Sequence, residues 1–335
     1  RLLYCAEYIE SHALHIYMLQ APDLLGHESA LTLAEVAPDV VKSALRLKKV
    51  GNNLLKAIGG RSVHPVNTCV GGFYRWPDVN SIKDLLPDLE WALQASIDTV
   101  QFASGLNYPD FEMDYEFVAL TRPDEYAIYD GDIASSKGNR LTVNEFESSY
   151  IETHVRHSTA LHSHSTAGNP YFVGPLARLN LNYEMLRPIA QKAAEDAGLQ
   201  LPLRNPFKSL LARAIELVEV CDVSIELVKK YSPKGPSSAP LTVKEGKGAG
   251  ASEAPRGLLY HRYIVDNQGM IRFAKITPPT AQNYAQMEAD LWEYAPTVIE
   301  LPHEEATLAC EHLVRSYDPC ISCSTHFLKL TVLRE

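Results

Sequence analysis

The feature that most constrains this chain is a group of two thiols and one imidazole close to its C-terminus. Cys320, Cys323 and His326 stand at positions i, i+3 and i+6, directly after Asp318 and Pro319. Soft thiolates at this spacing can hold one soft or borderline metal ion. On spacing alone, a metal site and an incidental cysteine pair are both open.

Two further interpretations of the pair fit the rest of the sequence less well. A structural zinc site normally needs four closely spaced ligands, and the other cysteines (Cys5, Cys69, Cys221 and Cys310) include no second pair. A thioredoxin-like dithiol would open a helix after a strand, whereas this pair follows a predicted helix. Cys221 falls on an apolar helix face, where we expect a buried, unreactive thiol.

Composition limits the functional classes. The chain has 335 residues, of which 46% are hydrophobic and 21% charged, enough for a large core and one or two domains. The net charge of −10 argues against a nucleic-acid surface. No apolar run is long enough to predict a membrane span. Six cysteines in no regular framework favour a reducing compartment or metal ligation over disulfides.

Hydrophobic periodicity predicts a mainly α fold, a bundle of long helices with small β-hairpin excursions, in one domain covering residues 1–335. Pro22 is expected to end the first helix, and residues 232–255, rich in Ser, Pro, Gly and Lys, are expected to form a long loop. The predicted helices cover 1–20, 38–58, 80–104, 180–197, 206–231, 283–293 and 303–316. The predicted strands cover 115–120, 126–129, 258–265 and 270–276.

The chain is also rich in histidine in one segment. His154, His157, His162 and His164 lie close together in sequence but have no thiol nearby, so we favour solvent exposure over a metal site there. For the histidines of the first helix we expect hydrogen bonding or surface exposure.

Four separated motifs resemble, in order, the large subunits of nickel–iron hydrogenases. They are residues 7–15 with 21–25, residues 60–65 with the glycines at 71 and 72, residues 253–257, and residues 318–326. Residues 174–178 and 277–283 add weaker matches. The residues of these motifs are most similar to those of the soluble, cytoplasmic, multisubunit hydrogenases, and the resemblance covers nearly the whole chain.

One part of the family pattern is missing. Two further thiolates of the family come from an Arg-x-Cys-Gly-x-Cys motif, and a proton-accepting Glu lies near it, both upstream of the helix that opens this chain. The chain starts at Arg1 without Met, and we interpret it as N-terminally truncated and inactive by itself. The alternative is a metal-free homologue, like the quinone-site subunit of respiratory complex I. Retention of Cys320 and Cys323 argues against that alternative.

The resemblance implies heterolytic cleavage of H₂, with catalytic roles for Arg256 and Cys320. Cys320 would be a terminal nickel ligand, and Cys323 would bridge nickel and iron. Arg256 would lie over the open side of the centre, although an ordinary ion-paired arginine is the simpler interpretation of its sequence. Pro255 and Thr280 would line the pocket of the diatomic ligands, with Thr280 donating a hydrogen bond to cyanide.

Three more residues receive roles from the resemblance. Asp318 would form hydrogen bonds near the metals and fix the ligand loop, although it could also cap the turn before Pro319. His64 would be a hydrogen-bond partner near the centre and not a ligand. His326 would bind Mg²⁺, which usually keeps several waters.

The resemblance also implies cofactors and partners. The cofactors are a Ni–Fe centre with CO and cyanide on iron and one Mg²⁺, with no organic cofactor on this chain. Electrons would leave through an iron–sulfur small subunit and further electron-transfer subunits, in the cytoplasm, to an acceptor that this sequence does not specify. A maturation protease would remove residues 327–335 by cutting after His326.

Overall fold

The computed structural model describes residues 1–27, 29–319 and 329–331, and their architecture is mainly α-helical. A π-helical segment, His15–Gln20, joins the first two α-helices. The helices are α1 Leu2–Leu14, α2 Ala21–Leu24, α3 Ala30–Val36, α4 Pro38–Gly59, α5 Val79–Lys83, α6 Leu86–Ser104, α7 Phe146–Ser149, α8 Pro175–Asn182, α9 Pro188–Asp196, α10 Ser209–Lys230, α11 Pro279–Val298 and α12 His303–Ser316.

The main core lies among the long helices. α1 packs against α4 and α10, and α10 packs against α6. α10 is buried on nearly all sides in its first half, because α1, α6, α8 and α9 all pack against it. α4 is amphipathic instead, with one apolar stripe facing α1 and charged residues on the other side. A helix that is buried all round marks the centre of the bundle, so α10 is the element around which the others pack.

The strands form small antiparallel units on this helical body. They are β1 Thr68–Cys69, β2 Gly72–Phe73, β3 Val118–Thr121, β4 Asp132–Ser135, β5 Arg140–Leu141, β6 Tyr150–His154, β7 Leu161–Ser165, β8 Gly246–Ala254, β9 Gly257–Val265 and β10 Ile271–Thr277. β8, β9 and β10 form a three-stranded sheet in the order β10-β9-β8, and β6 pairs only with β7 in the described part of the chain. A second core of aromatic and aliphatic residues lies beneath these strands, where Phe146 stacks on Tyr260.

The predicted mainly α fold is confirmed. The predicted burial of Cys221 is confirmed as well, and this burial raises the pKa of its thiol to about 12. His12 and His15 are both buried and hydrogen-bonded. Among the described residues, no helix has both the length and the apolarity needed to cross a bilayer.

The helix predicted at 283–293 is longer and extends over Pro279–Val298. Three other predicted helix boundaries are wrong, and proline explains each of them. Pro22 does not end the first helical run, because the π-helical segment precedes it and Pro22 lies in the first turn of α2, where its missing N–H removes no hydrogen bond of that helix. The helix predicted at 80–104 is divided, and Pro87 lies in the first turn of α6. The helix predicted at 180–197 is divided at Arg187, whose backbone is extended before Pro188.

The strand predicted at 115–120 is β3, Val118–Thr121, and the strand predictions need further correction in other places. Residues 126–129 are not a strand but a buried irregular segment, in which Ile128 accepts a backbone hydrogen bond from Glu253. The second half of the predicted loop at 232–255 is β8, which pairs with β9 along its whole length despite its glycine-rich composition. The β6–β7 hairpin was not predicted, because its Ser, Thr and His residues give no apolar alternation.

The contact between α1 and α4 depends on Gly51. A Cβ atom at this position would lie 2.6 Å from the backbone N of Glu10 and 2.9 Å from the carbonyl O of Ala6. Real Cβ atoms do not approach backbone so closely, so the two helices cross where neither has a side chain between them.

We expect Gly51→Ala to destabilise the protein by about 1–3 kcal/mol, because the added methyl group forces α1 and α4 apart. Helix propensity alone predicts the opposite sign, a gain of about 0.5–1 kcal/mol. The measurement is the free energy of unfolding in urea. Gly105→Ala is the matched control, since its Cβ would meet Phe102 O at 3.6 Å, an ordinary contact. Equal effects of the two substitutions would contradict the close-approach explanation.

Candidate metal centre

The candidate site begins at the end of α12, where Arg315 is held on two sides. Its guanidinium forms a two-pronged ion pair with Asp23, with N–O distances of 2.5 and 3.0 Å. Its backbone carbonyl accepts a hydrogen bond of 2.8 Å from His15 Nε2. Burial lowers the pKa of His15 well below its usual value, so this imidazole is neutral. The helical segment at the start of the chain thus fixes the end of α12.

The two residues after Arg315 are equally fixed. The carbonyl of Ser316 accepts hydrogen bonds from Ser209 Oγ at 2.7 Å and from both Nη atoms of Arg213 at 3.2 Å. Burial lowers the pKa of the Arg213 guanidinium to about 10, so it remains charged at neutral pH. The hydroxyl of Tyr317 donates to the buried carboxylate of Asp290. These contacts therefore fix the position of the backbone just before Asp318.

Arg256 reaches this point from the other side. Ala254 and Gly257 are paired residues of β8 and β9, so Pro255 and Arg256 form the two-residue tip of a hairpin. Arg256 Nε donates to the carbonyl of Asp318 at 2.8 Å, and its Nη2 lies 3.1 Å from Asp318 Oδ1. Asp318 is 1% exposed and has a left-handed backbone, with φ of 51°. The structure therefore brings the hairpin tip to the residue that precedes Pro319 and the cysteine motif.

Two glycines allow the hairpin tip to approach the start of α8. Gly174 has φ of +119°, and a Cβ there would lie 2.8 Å from the carbonyl O of Arg256. Gly257 has φ of +138°, and its Cβ would meet Val173 Cγ2 at 2.7 Å. Both positions combine a backbone conformation that side chains rarely adopt with a contact that leaves no room for one. They set the position of the Arg256 backbone.

The first turn of α11 is tied to the same two loops by amide side chains. Asn283 binds Val173 twice, accepting from its N–H at 2.8 Å and donating to its carbonyl at 2.9 Å. Gln282 Nε2 donates to the carbonyl of Leu258 at 2.5 Å. Thr280, in the same turn, is 7% exposed. The segments that carry Gly174, Arg256 and Thr280 therefore form one connected cluster.

The buried side chain of Arg178 binds the backbone of the hairpin tip. All five N–H donors of Arg178 are used: two bind the Glu216 carboxylate at 2.6 and 2.8 Å, and one binds Glu253 Oε2 at 3.0 Å. The remaining two bind the carbonyls of Ala254 and Pro255, each at 2.9 Å. Since Arg178 is fully buried, these contacts replace the water that the guanidinium loses.

α1 contributes to this network as well. Tyr8 donates from its hydroxyl to the carbonyl of Glu253 at 3.0 Å, and His12 Nε2 donates to Glu216 Oε2 at 2.8 Å. Burial lowers the pKa of His12 to about 4, so its imidazole is neutral. Burial by itself would raise the pKa of Glu216, but Arg178 and His12 together hold it well below its usual value. Burial raises the pKa of Glu253 to about 7 even though Arg178 contacts it.

Four of the predicted site residues lie close together in the structure. Arg256, Asp318, Pro255 and Thr280 lie in or next to the cluster described above, and Arg256 is ion-paired, as its simpler interpretation allowed. His64 is exposed, and its imidazole makes no hydrogen bond to the residues that the structure describes. Cys320, Cys323, His326 and most of the predicted tail lie outside the described residues, so their roles stay predictions.

Sequence reasoning missed the residues that support the site. Arg178 was matched only as part of a weak motif, and Glu216, Arg213 and Arg315 received no role. A usable signal was present for Glu216 and Arg213, which lie in the first half of α10 with apolar residues on both sides of each of them. Charged residues in such a helix are buried, and buried charges need partners.

The chemistry of the donor set fits a Ni–Fe centre. Cys320 and Cys323 would supply soft thiolate donors, and they follow Asp318 and Pro319 in the sequence. Thiolates are anionic, and the guanidinium of Arg256 lies where the chain enters the cysteine motif. The Nη1 atom of Arg256 makes no hydrogen bond within the described chain, so it can donate to a bound anion.

We expect Gly174→Ala to cost about 2 kcal/mol of unfolding free energy, because its methyl group would push the Arg256 carbonyl away. The measurement is urea unfolding. Gly168→Ala is the control: Gly168 also has a positive φ, of +84°, but nothing lies within 4 Å of its added Cβ. It should therefore cost less than half as much. Similar losses would show that backbone strain, and not contact with the hairpin tip, governs both.

Known proteins are similar to this chain in sequence. The family model of nickel-dependent hydrogenases matches residues 124–326. The alpha subunit of sulfhydrogenase 1 from Pyrococcus furiosus is 34% identical over 98% of this chain and 77% of its own length. The beta subunit of the NAD-reducing hydrogenase HoxS from Cupriavidus necator is 29% identical over 98% of this chain and 75% of its own length.

A solved structure agrees with these sequence matches. A crystal structure of an NAD⁺-reducing [NiFe]-hydrogenase in the H₂-reduced state superposes with a TM-score of 0.84, at 22% identity, over 97% of this chain and 79% of that one. At this identity the superposition shows the fold, while the family model and the Pyrococcus relative show the family. The chain therefore belongs to the nickel-dependent hydrogenase family, as a large subunit of an oxidoreductase that acts on H₂.

Proposed function

We propose that this chain is the catalytic large subunit of a Ni–Fe hydrogenase that cleaves H₂ reversibly into two protons and two electrons. The observation that carries the proposal is the contact of Arg256 with Asp318, at 2.8 and 3.1 Å, between residues far apart in sequence. This contact places a cationic donor next to the start of the cysteine motif. Arg256 and Cys320 are the proposed catalytic residues.

Cys320 and Cys323 would hold the Ni–Fe centre, with Cys320 as a nickel ligand and Cys323 as a ligand of both metals. When bound, such a centre supplies Lewis-acid activation of H₂ and a place for its electrons. Arg256 presents N–H donors at the hairpin tip, where they favour the charge that develops as H₂ is polarised. Pro255 limits the space beside it.

Further ligands of the centre are part of the proposal. Iron would carry CO and cyanide, and Thr280 would donate a hydrogen bond to one cyanide. Asp318 would hold Arg256 and the ligand loop in place, and His64 would act as a hydrogen-bond partner. His326 would bind one Mg²⁺, together with carbonyls and water.

The electrons would leave through an iron–sulfur small subunit, because the chain has no cluster motif of its own beyond the cysteine pair assigned to the Ni–Fe centre. The two relatives named above are subunits of larger hydrogenases, which supports such a partner. We propose a single large-subunit domain over residues 1–335 and a cytoplasmic location.

The test is Arg256→Lys in the intact hydrogenase complex. Lysine keeps the charge but cannot reproduce the planar fork of donors, so we expect H₂ oxidation with a viologen dye to fall at least about a hundredfold. Nickel and iron per complex should stay unchanged. Arg272→Lys is the control, because Arg272 belongs to the same sheet but is 67% exposed and pairs with Asp266.

Metal analysis of the same samples separates the alternatives. Nickel with iron, together with infrared bands of CO and cyanide, supports the proposed centre. Absence of both metals from the intact complex would favour a metal-free structural or quinone-site subunit. Unchanged activity of Arg256→Lys with full metal content would contradict the role of Arg256.

The tail after His326 provides a separate prediction. We expect a maturation protease to remove residues 327–335 once nickel is loaded, so the intact mass of the native, metal-loaded chain should end at His326. The same chain produced without nickel serves as the control and should retain the tail. A metal-loaded, active protein with the tail still attached would rule the cleavage out.

A further inference from the structure

A second group of potential metal ligands lies where the β6–β7 hairpin packs against the middle of α11. His157 is in the loop between β6 and β7, His162 is in β7, and Glu288 is on α11, about two helical turns after Thr280. One ligand atom from each of these residues can be chosen so that all three lie within 4.8 Å of one another. This grouping arises only because the β6–β7 hairpin packs on α11.

The geometry within the group is close to that of a metal site. His157 Nε2 lies 2.7 Å from Glu288 Oε1, and His162 Nδ1 lies 3.7 Å from Glu288 Oε2. Ligand atoms of a tetrahedral zinc site stand about 3.4 Å apart, as follows from metal–ligand bonds of about 2.1 Å. The three ligand atoms lie within 4.8 Å of one another, so a side-chain movement of about 1.4 Å or less brings them to this spacing. His157 can make this shift, because its side chain is 63% exposed and lies in a loop.

His162 is held more firmly than His157. His162 is 2% exposed, and its ring stacks on Tyr284 with centroids 5.4 Å apart. Tyr284 lies one turn before Glu288 on the same face of α11, so the helix places the ring support and the carboxylate together. One ligand of the group, the His162 imidazole, is therefore already held in position beside the carboxylate before a metal binds.

We propose that His157, His162 and Glu288 bind one divalent transition-metal ion of the Zn²⁺ type, with water in the remaining position. Two imidazoles and one carboxylate suit Zn²⁺, and also Ni²⁺ and Cu²⁺, better than the hard Mg²⁺. The bound ion links the loop at residues 155–160 to α11. Since the first turn of α11 carries Thr280, Gln282 and Asn283, the ion stabilises a helix that supports the Ni–Fe site.

The site departs from the sequence-based expectation for this segment. Solvent exposure was expected for all four histidines, and the pair considered for chelation was His162 with His164. The structure buries His162 and gives it His157 and Glu288 as neighbours. The partner on α11 is distant in sequence, so spacing along the chain could not show it.

The first experiment titrates Zn²⁺ into the purified hydrogenase complex and measures zinc per complex and its affinity. We expect one zinc ion per complex, and we expect His157→Asn and Glu288→Gln each to lower its affinity by at least about tenfold. Both side chains are substantially exposed, so these variants should fold normally. His154→Asn is the matched control, because His154 is an exposed histidine of the same hairpin outside the group. Nickel and iron contents should not change in any variant.

The second experiment uses the exposed Arg156, whose peptide bond to His157 is a trypsin site in the loop. Zn²⁺ should slow cleavage there in the parent and in His154→Asn, but not in His157→Asn. Equal zinc binding and equal cleavage rates in all variants would show that His157 and Glu288 form an ion pair only, and would overturn the proposal. Because neither readout uses H₂ turnover, failure here leaves the proposed hydrogenase function untouched.

Discussion

The position of the candidate site depends on the burial of one guanidinium. Arg178 lies in the interior with no exposed surface, where an unpaired charge would cost several kcal/mol. Its five N–H groups all find acceptors, two of them carbonyls of the hairpin tip that carries Arg256. A lysine could not satisfy five acceptors in fixed directions. The hairpin tip therefore has one stable position relative to α8 and α10, and this position faces Asp318.

The first helical run connects the two halves of the site. Tyr8 and His12 contact the network around Arg178, while His15 binds the carbonyl of Arg315 at the end of α12. The three residues follow one another at helical spacing, so one helix face reaches both the hairpin tip and the start of the cysteine motif. Both imidazoles are neutral because burial lowers their pKa, and they act as hydrogen-bond donors without adding charge to an already charged interior.

Much of the fold was accessible from the sequence, because long helices with one apolar stripe carry their own signal. α4 and α12 were predicted to within a residue or two of their observed bounds. The β8 strand was not, because its glycines and lysines carry no strand preference and pairing with β9 alone makes it a strand. Of the site, the sequence supplied Arg256, Thr280 and Asp318 through their motifs, but not Arg178 or Glu216, whose role exists only once the helices are packed.

The sequence by itself determined the helical class and, through its resemblance to one family, the kind of chemistry to expect. The features that carry this information are local in the sequence, so they can be recognised without a structure. They are the two cysteines near the C-terminus, the arginine in a Pro-Arg-Gly turn and the consistent apolar periodicity. The tertiary structure alone decided which of these residues meet. Arg256 and Asp318 are brought together by buried ion pairs and by glycines that leave room for close backbone approach. Such contacts depend on partners far apart in the chain, and no pattern within one segment records them.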